Sequence, residues 1–188
     1  MKNNLAVIIV DMQPAYVKNI FMLKRRKIIK NIKQVLKYSV EQELPIMIFE
    51  DKDQLKEGET LNSLKSIAEK SKNYIPIIPK KYADGFKNTS AKRELDYRGI
   101  DNLFLTGITK SVCAFKTAKG GFSKGFGIIT SKDVIADPFI FNILRLLGND
   151  AIKKADNWYK NNAICLSNWK DIKKYHFPIK QYNSKPNQ

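Results

Sequence analysis

Two cysteines and one histidine are all the thiolate and imidazole metal ligands in this 188-residue chain. Cys113 and Cys165 fall in different segments with no ligand-type spacing, and His176 stands alone near the end, so no zinc-site pattern is present. So few cysteines exclude a disulfide scaffold, and both are expected as free thiols in a reducing, cytoplasmic setting. No apolar run is long enough to span a bilayer. Met1-Lys2-Asn3-Asn4 leads straight into a strand-like segment, unlike a secretory signal. Repeats and low-complexity blocks are missing too. Carboxylates are scarce: 18 Asp and Glu against 34 Lys and Arg leave a net charge of +16. Such an imbalance suits a binder of nucleic acid or of another acidic surface. Against that reading, the basic residues are scattered from Lys24 and Arg25 through Lys65 and Lys92 to Lys153, and no nucleic-acid motif accompanies them. The charge is therefore read as mostly solvated surface on a Lys-, Asn- and Ile-rich chain. Neither a membrane nor a nucleic acid is the expected partner.

What is present is one domain's worth of alternating strands and helices, expected over residues 1–179, with a polar tail at 180–188. Leu5-Ala6-Val7-Ile8-Ile9-Val10 is continuously apolar and runs into Asp11, the pattern of a strand covered on both faces of a parallel sheet. Ile28, Ile32, Val35, Leu36 and Val40 keep helical spacing. Further strands are predicted at 45–50, 75–80, 102–108, 127–130 and 163–167. Pro76 and Pro79 push the third of these to the sheet edge, because proline cannot donate to a ladder. Helices are predicted at 61–68, from Thr89 or Ser90 to Gly99, at 111–123, from Phe139 to about Lys160 with a break at Gly148, and from Trp169 onward. The sum is a three-layer α/β/α architecture on a six-stranded, mostly parallel sheet.

If the strands wind in the order 3-2-1-4-5-6, strands one and four are neighbours at the point where the winding reverses, where ligands bind beside the carboxyl ends. Asp11 closes strand one. Cys113 follows strand four, in the first turn of a predicted helix, where unpaired N–H groups and the helix dipole favour the thiolate. By position alone, Cys113 is either a nucleophile or a small buried hydrophobe, and Asp11 either its base or a helix cap. A lysine at the end of strand three would add a cation. With so many lysines, spacing alone would leave Lys80 solvated.

Three blocks in order resemble the isochorismatase-like cysteine hydrolases, which include nicotinamidases and related amidases. They are Val7-Ile8-Ile9-Val10-Asp11-Met12-Gln13, Lys80-Lys81-Tyr82-Ala83-Asp84-Gly85-Phe86, and Gly107-Ile108-Thr109-Lys110-Ser111-Val112-Cys113. Together they cover roughly residues 5–170. The resemblance implies a catalytic Asp11-Lys80-Cys113 triad, Lys80 being preferred over Lys81 by the register that Phe86 sets. It implies a non-proline cis peptide at Ile108–Thr109, with the backbone N–H groups of Thr109 and Cys113 turned toward a developing oxyanion. It also implies thiolate attack on a small-molecule amide through a thioester, no cofactor, assembly into homo-oligomers, and a pocket lined by Tyr16 and Phe86.

The sequence departs from the family in two places. The Asp-x-His metal motif of nicotinamidases is replaced by Glu50-Asp51-Lys52-Asp53-Gln54, so no catalytic metal is expected and Asp51 and Asp53 read as solvated loop. The family's Thr-Asp after the cis bond is Lys110-Ser111 here. Lys110 is thus either a cation biasing the pocket toward anionic substrates or an outward surface lysine. Vinyl-ether hydrolysis of the isochorismatase type, or a non-catalytic basic binding protein on the same fold, are the alternatives to an amidase.

Overall fold

A computed structural model describes residues 4–174. His176 and the tail at 180–188 lie outside the described residues. The chain runs β1 (Leu5–Val10), α1 (Pro14–Val17), α2 (Met22–Glu41), β2 (Ile46–Asp51), a 3-10 turn (Lys52–Glu57), α3 (Asn62–Ala68) and β3 (Tyr74–Lys80). There follow α4 (Ala91–Tyr97), β4 (Asn102–Ile108), a π-helical turn (Lys110–Ala114), α5 (Phe115–Ser123) and β5 (Gly127–Ser131). Last come β6 (Ile135–Ala136), α6 (Phe139–Leu146), α7 (Asp150–Asn162), β7 (Ala163–Leu166) and a 3-10 turn (Trp169–Lys174).

All strand pairings are parallel, in the order β3-β2-β1-β4-β5-β7, with the two-residue β6 pairing β4 off this path. With β6 set aside, this is the order expected from the sequence. Every residue of β1 and β4 is buried, which is why both read as unbroken apolar runs. Alternate residues feed two cores. Val7 and Ile9 join Ile28, Ile32, Leu36 and Trp169 on one face. Ile8 and Val10 join Phe49, Leu95, Leu105 and Ala118 on the other.

Proline keeps β3 at the edge, where Pro76 and Pro79 are exposed. The long helix predicted from Phe139 is split: Gly148 takes φ +79 and Asn149 caps α7 by accepting from the Ile152 N–H at 3.3 Å. β6 was not visible in the sequence, because two residues carry no periodicity. The helix predicted at 111–123 opens instead as the π-helical turn, and Cys113 lies in it.

Candidate active site

The strand ends converge at the carboxyl edge of the sheet. Asp11 follows β1 in a left-handed conformation, φ +50, and its side chain has no exposed surface. It is not a helix cap: α1 starts after Gln13 with no side-chain cap bond. Lys80 is the last residue of β3, which lies two strands from β1. Strands are spaced about 4.8 Å apart, so the gap is roughly 10 Å, within reach of a long side chain laid across the end of β2. Lys80 does span it: its Nζ sits 2.8 Å from Asp11 Oδ2, and both side chains are fully buried. Cys113, 7% exposed, adjoins the same carboxylate from the other flank.

Neither Asp11 oxygen nor Lys80 Nζ makes a hydrogen bond of good geometry. The pair is a charge contact, in a protein class where buried polar atoms are nearly always satisfied.

Each of the three sequence blocks has a structural reason. Gln13 is buried and clamps the end of β2: its Nε2 donates to the carbonyls of Asp51 (3.2 Å) and Gly58 (3.1 Å), and its Oε1 accepts from the Asp51 N–H at 2.8 Å. In the second block, the Asp84 carboxylate accepts from the Phe86 N–H at 2.8 Å, and the Thr117 hydroxyl of α5 accepts from the Gly85 N–H at 3.0 Å. That bond docks the segment carrying Lys80 onto the helix after Cys113. In the third, Gly107 takes φ +115, and a Cβ there would lie 2.2 Å from the Val10 carbonyl oxygen. Only glycine lets β4 pass so close to β1. The peptide Ile108–Thr109 is cis, at the position the resemblance implied.

Burial dominates the electrostatics. It raises the Asp11 carboxyl to about 6 against the lowering influence of the Lys80 charge. Burial, followed by the Asp11 charge, pushes the Cys113 thiol up to about 12 although Lys80 pulls the other way. The sequence had suggested a helix start that favours thiolate. Desolvation and a neighbouring carboxylate outweigh the dipole, and at neutral pH the arrangement is an ionised carboxylate beside a protonated thiol. Such a pair can pass a proton from sulfur to oxygen.

The three pocket candidates fall in different surroundings. Tyr16 is half-buried, within electrostatic range of Asp11 and Cys113, and its hydroxyl donates to Asp51 in a short hydrogen bond. Phe86 is packed into the core between Phe49 and Phe126, with centroid separations of 5.8 and 5.7 Å. Lys110 pairs with Asp156, whose other oxygen accepts from Arg145 Nε at 2.7 Å.

Asp51 is not a solvated loop residue. Its carboxylate takes the Tyr16 hydroxyl and the Asp53 N–H, the latter at 3.0 Å. Asp53 is exposed, and no three His, Cys, Asp or Glu side chains converge among the described residues. This donor set does not fit a metal ion.

Sequence reasoning missed Asp137. It is 2% exposed and accepts from the Ser111 N–H (2.7 Å), the Ser111 hydroxyl (2.7 Å) and Arg145 Nη2 (2.6 Å). It thereby pins the turn that carries Cys113. The signal was a short apolar run, Val134-Ile135-Ala136, closing in a carboxylate as β1 does.

The model of the isochorismatase domain matches residues 5–140. No curated protein matches the chain. Among solved structures, a nicotinamidase from Staphylococcus aureus is 18% identical with a TM-score of 0.69, over 87% of this chain and 97% of that one. N-carbamoylsarcosine amidase from Thermoplasma acidophilum is 18% identical with a TM-score of 0.67, over 88% and 95%. A ribonuclease from Caenorhabditis elegans is 17% identical with a TM-score of 0.71, over 91% and 80%.

Proposed function

Since the chain belongs to the isochorismatase domain family, we propose that it is a cysteine hydrolase that opens a small-molecule amide through a thioester on Cys113. One observation carries this reading: the fully buried Asp11–Lys80 pair, 2.8 Å apart, with the Cys113 thiol against the same carboxylate. Burying an ion pair without completing its hydrogen bonds is costly for stability. Chemistry gives it a reason to exist.

The steps follow from the proton positions. Asp11, ionised at neutral pH, takes the Cys113 proton as sulfur attacks the carbonyl carbon. The N–H groups of Thr109 and Cys113 hold the oxyanion that forms. Protonated Asp11 returns its proton to the leaving nitrogen, ammonia or an amine departs, and the thioester remains. Water, deprotonated by Asp11, then cleaves the thioester. Lys80 limits the cost of ionising Asp11 out of reach of water. Tyr16 lines the substrate side. Phe86 supports the segment of Lys80 from within the core, and the pairing of Lys110 with Asp156 reduces its pull on an anionic substrate. Two of the similar folds are amidases by name.

A second reading has the +16 charge in its favour: hydrolysis or binding of a nucleic acid, the name of one similar fold being ribonuclease. The two readings separate in one set of measurements. An amide library scored for released ammonia, with intact-mass detection of an adduct on Cys113, should give turnover in the native chain and none in Cys113→Ala. No ammonia and no adduct across a broad library, together with salt-sensitive RNA binding or cleavage, would overturn the amidase reading.

A further inference from the structure

A cleft of about 630 Å³ lies beside the ends of β5 and β6, walled by α6 and α7, and none of Asp11, Lys80, Cys113 and Tyr16 lines it. Its size is that of a small-molecule site. Five cations line it, Lys24, Lys110, Lys132, Arg145 and Lys160, against two carboxylates, Asp137 and Asp156. Both carboxylates are already engaged. Asp156 holds Lys110 and Arg145, and Asp137 holds Arg145 at 2.6 Å and both donors of Ser111 at 2.7 Å. Lys24, Lys132 and Lys160 have no ion-pair partner among the described residues. They come from α2, the end of β5 and α7, so three separate elements bring uncompensated ammonium groups to one cleft. Lys24 registers the strain: desolvation lowers its ammonium from the usual lysine range, Asp137 opposes this, and Arg145 and Lys110 add to the lowering. Ile135, Ala136, Tyr159 and Cys165 supply the apolar part of the lining.

We propose that this cleft binds a small organic phosphate monoester, its phosphate among the three lysines and its carbon skeleton against the apolar wall. The kind of cation selects the anion. A planar carboxylate is best met by the fork of an arginine, but Arg145 already spends Nε on Asp156 and Nη2 on Asp137. The cations left over are all lysines, compact point charges that suit a dianion with oxygens on every side. The shape selects its size. A nucleic-acid backbone is met by cations strung along an open surface, whereas these converge on a concave site with an apolar wall. Neither argument depends on amide hydrolysis at Cys113.

Isothermal titration calorimetry of the full chain with phenyl phosphate, benzoate and inorganic phosphate tests the proposal without any turnover. Phenyl phosphate should bind at one equivalent, about 10-fold or more tighter than either of the others, because only it presents both a dianion and a ring. Lys24→Gln combined with Lys132→Gln and Lys160→Gln should weaken it by about 10-fold or more. The same loss of charge at exposed Lys37, Lys70 and Lys119, outside the cleft, should change it by less than about 2-fold. Cys165 locates the ligand without any substitution. It lines the cleft as an exposed thiol, so saturating phenyl phosphate should slow its labelling by iodoacetamide several-fold, a readout that stands even if the triple variant fails to fold. No saturable binding of phenyl phosphate overturns the proposal. So does an equal loss from the two sets of lysines, or slowed labelling of Cys113 with Cys165 labelled at its full rate. An RNA oligonucleotide that binds more tightly than phenyl phosphate through the same three lysines overturns it as well.

Discussion

Alkylation of Cys113 by iodoacetamide, followed against pH, reads the proton arrangement of the site without knowledge of the substrate. With the thiol pushed up to about 12, direct ionisation at about pH 7 leaves on the order of one molecule in 10⁵ as thiolate, which corresponds to about 7 kcal/mol. A free thiol near 8.5 has about 3% thiolate at the same pH. Direct ionisation would thus make Cys113 slower than free cysteine by about three powers of ten, rising tenfold per pH unit. Asp11 offers another route. Once ionised, above about 6, it can hold the proton while sulfur reacts, and the population of that tautomer no longer depends on pH. The rate should therefore climb through about pH 6 and stay flat to about pH 9. In Asp11→Asn the flat region should vanish, leaving a rate that rises along the thiol's own ionisation. Cys165 is an exposed residue, so the measurement belongs in a Cys165→Ser background, with peptide mass spectrometry to locate the label. A midpoint near 8.5 in the native chain, unchanged by Asp11→Asn, would refute the assignment of Asp11 as the base.

Three other outcomes follow from the packing. Gly107→Ala must fit a Cβ 2.2 Å from the Val10 oxygen at φ +115, whereas Gly99→Ala, at φ +66, meets nothing within 4 Å; urea denaturation should show a loss of about 3 kcal/mol or more for the first and about 1 for the second, and equal losses would contradict the close approach of β1 and β4. The folded-state value of Asp11, about 6, lies above the value of about 3.9 for an unfolded aspartate, so the stability it lends is whole at acid pH and is lost as pH rises through 6. Lys80 restrains that rise, so Lys80→Met should enlarge the fall in unfolding free energy between about pH 5 and about pH 8 by about 1–3 kcal/mol, and an unchanged pH dependence would count against the buried pair. Asp137→Ala strands the Ser111 donors and one side of Arg145, and a stability loss below about 1 kcal/mol would show that they find other partners.

The sequence by itself determined the alternation of strands and helices and hence the layers, while the winding entered as a condition that the structure met. β1 and β4 are unbroken apolar runs, the edge position of β3 is written in Pro76 and Pro79, and the break at Gly148 is local in origin. It also marked Asp11 and Cys113 as candidates, because strand ends and turn glycines are short-range features, whereas Lys80 was singled out only by the resemblance of its block to the family. Tertiary structure alone decided their states. Lys80 looks like any other lysine in its own neighbourhood; it is buried because the sheet order sets β3 two strands from β1 and its side chain runs inward to Asp11. Cys113 sits near a helix start, where the dipole favours thiolate, yet packing from distant segments removes its water and sets Asp11 beside it, and the thiol rises to about 12. Asp137 entered the site through a two-residue strand with no period to detect. Periodicity and caps are properties of neighbouring residues, whereas desolvation and charge pairing belong to residues that meet only after the sheet has closed.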